Sequence, residues 1–160
     1  MTASPFRAEL ERHLGDHVFA RWENDARTFT DAAAEDLVAE QRLADEYYAV
    51  LGAARTPFRG ADASLGELAR YADHPDRGTR RDAAFAIGAL FDENAARLDD
   101  VFDGIVRTRA AIAAALGERG FIDVAYRRRG RVDYGASDAA RFRDDIRAHV
   151  VPLASEIVRR

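Results

Sequence analysis

The chain has 160 residues, of which 48% are apolar and 32% charged, and its formal net charge is −4. This balance is typical of one globular domain, and it excludes a disordered or membrane-spanning chain. The absence of cysteine excludes disulfides and thiolate metal sites, and the acidic surplus disfavours general nucleic-acid binding. No apolar run approaches the roughly 20 residues that cross a bilayer, and residues 1–12 do not resemble a signal peptide, so we expect a cytoplasmic protein.

Two helical patterns occupy the first third of the chain. The first covers residues 4–26, because Ser4 is a good cap, Pro5 suits the first helical position, and Gly15 only weakens the middle. The second covers residues 30–52 and begins at a threonine–aspartate cap. The expected core stripe of the second helix consists of Leu37, Glu40, Gln41, Ala44, Tyr47, Tyr48 and Leu51.

The next segment lacks a helical period and contains both proline and glycine. We therefore expect a small β-hairpin or a loop near residues 56–63, with its turn around Arg59-Gly60. Ser64 and Glu67 follow with the spacing of a capping box, which predicts the start of a short helix.

A long helical region starts at Asp76 or Thr79 and ends at Gly117. Its apolar face is interrupted by polar residues 92–94, where we expect a kink or short turn. The expected core face consists of Ala83, Ala84, Ile87, Leu90, Phe91, Leu98, Val101, Phe102, Ile105, Ile112 and Leu116.

The last part of the chain predicts two further helices. One begins at Gly120-Phe121, and residues 127–136 after it are irregular. Ser137-Asp138 caps the other, and Pro152 must kink or restart it because proline lacks the N–H group. Its apolar positions are Phe142, Ile146, Val150 and Leu153. The sequence thus predicts one all-α domain over residues 1–160, a multi-helix antiparallel array with at most one small β-hairpin.

One pair of histidines has the spacing of metal ligands on a helix. His13 and His17 are four residues apart on a predicted helix, which would place both imidazoles on one face. No glutamate follows the first histidine, so the general base of a zinc peptidase is missing, and we expect a solvated helix face. His74 suits a turn and His149 a packed or surface position, so we expect no catalytic, cofactor-binding or metal-binding residue in this chain.

The densest basic patch is Arg127–Arg131, flanked by Tyr126 and Tyr134. Arginine beside aromatic rings could bind phosphates and bases. Aspartates close by in the sequence favour ion pairs within the protein instead. The acidic group of Asp99, Asp100 and Asp103 lacks the spacing of a calcium loop and indicates a solvated helix face.

Several segments, taken in order, resemble one peptidase family. Residues 74–85 (HPDRGTRRDAAF) resemble its S-P-D-R-E-V-R-K-A-A-F helix start, and residues 121–126 (FIDVAY) its F-x-E-L-G-Y stretch. Residues 129–134 (RGRVDY) resemble M-x-R-x-D-Y, and Phe142-Arg143 with residues 150–154 (VVPLA) resembles F-R-K … I-V-P-L-A. The family is the oligoendopeptidase F type of zinc metallopeptidase, and the resemblance covers roughly residues 30–160.

This resemblance implies a helical wall around a peptide-binding cleft. In the family, zinc is bound by an H-E-x-x-H helix and a later glutamate, and that motif is absent from this sequence. The resemblance therefore implies a truncated, non-catalytic lobe of a metalloendopeptidase that acts on short peptides, inactive by itself and without zinc of its own. A catalytic half or a second copy would pack on its exposed apolar face. The alternatives are a helical interaction or dimerisation module and, third, a nucleic-acid binder through Arg127–Arg131.

Overall fold

The computed structural model describes residues 4–159 and confirms an all-α fold with one small hairpin. The α-helices are α1 Arg7–Leu14, α2 Asp16–Ala26, α3 Ala34–Ala53, α4 Leu65–Ala69, α5 Arg77–Ala115, α6 Phe121–Arg128, α7 Ala136–Asp145 and α8 Val151–Arg159. A 3-10 turn, Asp31–Ala33, precedes α3, and a π-helical turn, Ile146–Val150, joins α7 to α8. Strands β1 (Thr56–Phe58) and β2 (Ala61–Ala63) pair antiparallel. Within residues 4–159, no helix is both long and apolar enough to cross a membrane.

Backbone contacts divide the chain into two compact units. The first contains the residues up to Ala34 together with those from Ala110 onward, and the second contains Glu35–Arg109. The expectation of a single domain over residues 1–160 stays a prediction.

In the first unit, the predicted helix over residues 4–26 is broken at Gly15. This glycine has φ 87° and ψ 154°, a conformation that is almost restricted to glycine, so the prediction of one continuous helix was wrong. Arg7 of α1 pairs with Glu23 of α2, and its guanidinium lies 5.4 Å from the ring centre of buried Phe19. An ion pair and a cation–π contact, both made by Arg7, therefore connect the two short helices.

Helix α2 also binds the end of α6 through its backbone. The Asn24 side-chain amide donates to the carbonyl oxygens of Arg127 and Arg131, at 3.3 Å and 3.4 Å. Gly130, with φ 64°, closes α6, and the Arg131 N–H donates to the Tyr126 carbonyl at 3.1 Å. Part of the segment predicted to be irregular is therefore helical, because α6 extends to Arg128.

In the second unit, the hairpin and α4 follow the predicted turn chemistry. Arg59 and Gly60 have φ of 52° and 85°, as a two-residue hairpin turn with positive φ at both positions requires. The Ser64 hydroxyl accepts from the Glu67 N–H at 3.3 Å, and the Glu67 carboxylate accepts from the Ser64 N–H at 2.8 Å. The capping box is thereby confirmed. A buried core cluster beneath the hairpin consists of Ala54, Ala63, Leu68 and Leu90.

Helix α5 is a single helix of 39 residues, so no turn interrupts it at residues 92–94. Within this polar triplet, the Asn94 side chain donates to the Leu90 carbonyl at 2.8 Å, one turn earlier in the same helix. Asp76 caps the start by accepting from the Thr79 N–H at 2.7 Å. Gly117, at φ 73°, ends the helix as predicted.

The predicted core stripe of α3 is confirmed at Leu37, Glu40, Ala44 and Leu51, which are buried or half-buried, and is wrong at Gln41, Tyr47 and Tyr48, which are exposed. Tyr48 is 72% exposed and Tyr47 is also exposed, whereas Glu40 is only 6% exposed. Arg109 of α5 donates its Nε to the Glu40 carboxylate at 2.7 Å. The inward face of α3 therefore contains a buried acid, and Arg109 supplies its cationic partner.

Helix α7 begins two residues earlier than the sequence indicates. Gly135 is the cap residue, and Asp138 accepts from its N–H at 2.9 Å from inside the first turn, so the predicted Ser137-Asp138 cap was wrong in register. The expected restart at Pro152 is absent, because α7, the π-helical turn and α8 follow one another without a gap. The π-helical turn before Pro152, closed by a hydrogen bond from Val151 N–H to the Ile146 carbonyl, widens the backbone where proline cannot donate.

Acid should destabilise this fold through its helix caps. The Thr79 backbone N–H lowers the pKa of Asp76 from its ordinary 3.8, and the Ser64 backbone N–H lowers the pKa of Glu67 from 4.5. Because these pKa values are lower in the folded state, the stabilisation is complete above the ordinary values and is lost as the pH falls below them. We expect the urea midpoint to drop between pH 6 and pH 3, and to drop less in Asp76→Asn. An equal drop in both proteins would contradict this prediction.

Candidate functional site

The last helical stretch carries an apolar stripe that the chain itself does not bury. No residue of α7, the π-helical turn or α8 is buried. We call the stripe the terminal apolar face. It consists of Phe142, Ile146, Val150, Leu153 and Ile157. Four of these side chains are 53–65% exposed, and Ile146 is half-buried. The predicted periodicity is present, but the packing it indicates is not supplied by this chain.

The physical cost of this exposure points to a covering partner. Burying a large aliphatic or aromatic side chain stabilises a folded protein or a complex by about 1.5–3 kcal/mol. Covering the exposed side chains of this face would therefore be favourable. Most helical stability in proteins comes from tertiary packing of an apolar face, and none of the residues in the continuous run of α7, the π-helical turn and α8 is buried. Large exposed apolar patches are more typical of interaction surfaces than of free protein surface.

A second feature is a cavity of about 560 Å³ between α6 and α7. We call it the aromatic–arginine cavity. It is lined by Tyr126, Arg131, Tyr134, Asp138, Ala139, Phe142 and Arg143. The Arg131 guanidinium carbon lies 4.5 Å from the centre of the Tyr126 ring and 5.3 Å from that of Tyr134. The two rings meet edge to face with centres 6.0 Å apart, so Arg131 is fixed by cation–π contacts.

The charges of the aromatic–arginine cavity do not cancel. The Asp138 carboxylate accepts from the Gly135 N–H and pairs with Arg141, and these interactions hold its pKa below the ordinary value. Within residues 4–159, neither Arg131 nor Arg143 has a carboxylate at ion-pair distance. The cavity therefore presents two guanidinium groups beside aromatic rings, which is an arrangement that suits an anion.

The basic patch Arg127–Arg131 does not form one continuous cationic strip. Arg127 pairs with Glu118, and this hydrogen bond lowers the pKa of that glutamate. The Arg128 guanidinium carbon lies 5.7 Å from the centre of the Phe121 ring. Sequence reasoning noticed Tyr126 and Tyr134 beside the patch, but it missed the contribution of α7 to the cavity.

The histidines do not fit a zinc site. His13 lies in the last turn of α1, and His17 lies in the first turn of α2. Because the helix breaks at Gly15 between them, the two imidazoles do not have the one-turn spacing of a continuous helix. In the described part of the chain, no group of three or more His, Cys, Asp or Glu side chains could hold a metal ion. His74 lies in a turn and accepts the Asp76 N–H at 3.1 Å, and His149 is exposed in the π-helical turn.

Comparison with known proteins supports the family resemblance. No family model and no curated protein matches the chain. An X-ray structure described as oligoendopeptidase F superposes with a TM-score of 0.90 at 37% identity, over 97% of this chain and 27% of its own. An oligoendopeptidase F structure from Bacillus anthracis has a TM-score of 0.88 and 34% identity, and it is matched over 96% of this chain and 28% of its own length. The structure of PZ peptidase A with an inhibitor has a TM-score of 0.91 and 35% identity, over 98% of this chain and 28% of its own length.

The resemblance found in the sequence is thereby confirmed in three dimensions. The chain spans about a quarter of the length of each solved structure. The chain is therefore similar in fold and sequence to a partial, helical region of these oligoendopeptidase F and PZ peptidase structures.

Proposed function

We propose that this chain, which has the fold of part of an oligoendopeptidase F-type peptidase, is the non-catalytic helical lobe of a zinc-dependent peptidase that cleaves short peptides in the cytoplasm. The observation that carries the proposal is the match of 97% of this chain to only 27% of an oligoendopeptidase F structure. The H-E-x-x-H motif that zinc chemistry needs does not occur in the sequence, and the histidines present do not replace it. Zinc binding and hydrolysis would therefore belong to a catalytic part beyond these residues.

The lobe would contribute packing and substrate enclosure rather than bond cleavage. The terminal apolar face supports this role, because four of its five large side chains are exposed on helices without a buried residue. A catalytic part that covers this face would bury them and stabilise α8.

Zinc content and peptide cleavage test the proposal directly. We expect the purified chain to hold no stoichiometric zinc and to leave a quenched short peptide intact, with or without added zinc. Addition of the H-E-x-x-H-containing remainder of a matched peptidase should give cleavage that a chelator abolishes. Stoichiometric zinc and chelator-sensitive turnover by the chain alone would overturn the proposal, and His13 and His17 would then be the first residues to replace.

The role of the terminal apolar face has its own test. Leu153→Asp should abolish assembly with the catalytic remainder, because a buried unpaired carboxylate is strongly unfavourable in an interface. Ser155→Asp is the matched control, since it adds the same charge two residues away on the opposite side of α8. Co-purification and hydrogen exchange of the α8 amides measure the effect, and we expect slower exchange in the wild-type complex. Equal assembly of both variants would contradict it.

The same face also supports an alternative function, a helical module that pairs with a second copy of itself. In that case the mass in solution should rise with protein concentration without any catalytic part present. Leu153→Asp should then keep the chain monomeric at every concentration, and sedimentation measures this directly.

A further inference from the structure

We infer that the aromatic–arginine cavity binds the free α-carboxylate of a short peptide. The inference rests on the proposed function, because it takes its ligand class from a peptide-cleaving enzyme. It gives the lobe a binding role of its own, in addition to that of the terminal apolar face.

The charge of the cavity favours an anionic ligand. Arg131 and Arg143 line it without carboxylate partners in the described residues, while Asp138 is occupied by Arg141 and the Gly135 N–H. Desolvating two guanidinium groups without an anion would be costly, so an entering ligand gains by supplying one.

The geometry of Arg131 favours an acceptor with two oxygens. Its guanidinium makes cation–π contacts with Tyr126 and Tyr134, at 4.5 Å and 5.3 Å. An aromatic ring is not a hydrogen-bond acceptor of the carboxylate or carbonyl kind, so these contacts leave N–H groups of the guanidinium for a ligand. A carboxylate accepts two of them in parallel, and a pre-positioned arginine loses little freedom in forming that pair.

The walls and the volume favour an organic ligand over a bare ion. Ala139, Phe142 and the two tyrosine rings form the apolar part of the lining. A volume of about 560 Å³ is in the range of small-molecule sites and has room for a terminal residue with an apolar side chain. A peptide that ends in phenylalanine combines the carboxylate with a ring that can contact Tyr126, Tyr134 or Phe142.

Binding to the 160-residue chain tests the inference without any peptidase activity. The probes are a fluorescent tetrapeptide that ends in phenylalanine as the free acid and the same peptide as its C-terminal amide, measured by anisotropy. We expect the acid to bind at least about tenfold more tightly, because the amide cannot form charge-assisted hydrogen bonds. Acid binding should weaken as salt is added. Equal affinity for acid and amide, or no binding of either, overturns the inference, as does displacement of the acid by inorganic phosphate at equal concentration.

Three variants locate the site. Arg131→Gln and Arg143→Gln should each weaken binding of the acid by about tenfold and leave the amide unchanged. Arg147→Gln is the matched control, because this arginine lies one turn beyond Arg143, is 84% exposed in its side chain and does not line the cavity. Circular dichroism checks that each variant folds, and Arg143→Gln keeps the test valid if Arg131→Gln does not. Unchanged binding in Arg143→Gln overturns the inference.

The outcome for the inference is separable from that for the proposed function. Selective binding of the acid without cleavage in the reconstituted mixture would support the cavity and count against the peptidase role. Cleavage that is restored by the catalytic remainder, with no selective binding to the lobe, would reject the cavity alone.

Discussion

Leu90→Ala is expected to lower the free energy of unfolding by about 3 kcal/mol, because it removes buried methyl groups and leaves a cavity. Leu90 is fully buried and packs in the core cluster with Ala54, Ala63 and Leu68. Phe58, Leu65 and Ile87 pack against this cluster as partly buried side chains. The change therefore acts on the contact between α5 and the hairpin, and urea unfolding measures it.

A matched control lies on the same helix. Phe85 precedes Leu90 by five residues on α5 and is 71% exposed. Phe85→Ala removes a larger side chain than Leu90→Ala, yet we expect it to change the unfolding free energy by no more than about 0.5 kcal/mol. A loss in Phe85→Ala that equals the loss in Leu90→Ala would show that the burial assigned to α5 is wrong.

Arg109→Met is expected to lower the free energy of unfolding by about 2 kcal/mol, because it removes a charge-assisted hydrogen bond from a buried acid. The Glu40 carboxylate is nearly inaccessible to solvent and accepts from Arg109 Nε at 2.7 Å. The Arg109 side chain is 47% exposed, so part of its charge is solvated and the loss stays below that of a fully buried pair.

The comparison of single and double variants separates the pair from its surroundings. Glu40→Gln should be destabilising by itself, while Glu40→Gln combined with Arg109→Met should cost less than the two single changes added together. Methionine retains the length of the arginine stem and so limits the loss of packing. Additive costs from chemical denaturation would show that the two side chains do not stabilise one another.

Local chemistry in the sequence predicted the boundaries of elements better than their orientation. Three local features occur where they were expected: the capping box of Ser64 and Glu67, the hairpin turn at Arg59-Gly60 and the helix end at Gly117. Each depends on the backbone preferences of one or two residues, which the sequence displays directly. The break at Gly15 was missed because its cost as a helical residue is small, and only the tertiary context decides whether the helix continues.

Orientation was harder to predict because it depends on contacts distant in the sequence. Leu37, Glu40 and Leu51 of α3 face inward as expected, but Tyr47 and Tyr48 are exposed. The carboxylate of Glu40 is paired with an arginine 69 positions away, which its sequence neighbourhood does not indicate. The last helix shows the converse error. Its spacing correctly marks one apolar face, yet that face has no covering side chains among residues 4–159.

The sequence indicated only some of the residues that line the aromatic–arginine cavity. Tyr126, Arg131 and Tyr134 are close neighbours there, and the patch drew attention for its charge. Arg143 and Phe142 reach the cavity from α7, and the sequence contained no signal that the turn after Gly130 would bring the two helices together.

Pro152 has a consequence for any protein that covers the last helices. Because proline brings no N–H, the preceding turn has one fewer backbone donor than it has carbonyl acceptors. In an exposed helix water satisfies the remaining acceptor. A purely hydrocarbon surface over this turn would leave the carbonyl oxygen without a hydrogen bond. A compatible partner therefore needs a hydroxyl, an amide or a trapped water opposite the turn before Pro152. Apolar contact alone is non-directional, and this one polar requirement would set the alignment of the partner along the helix.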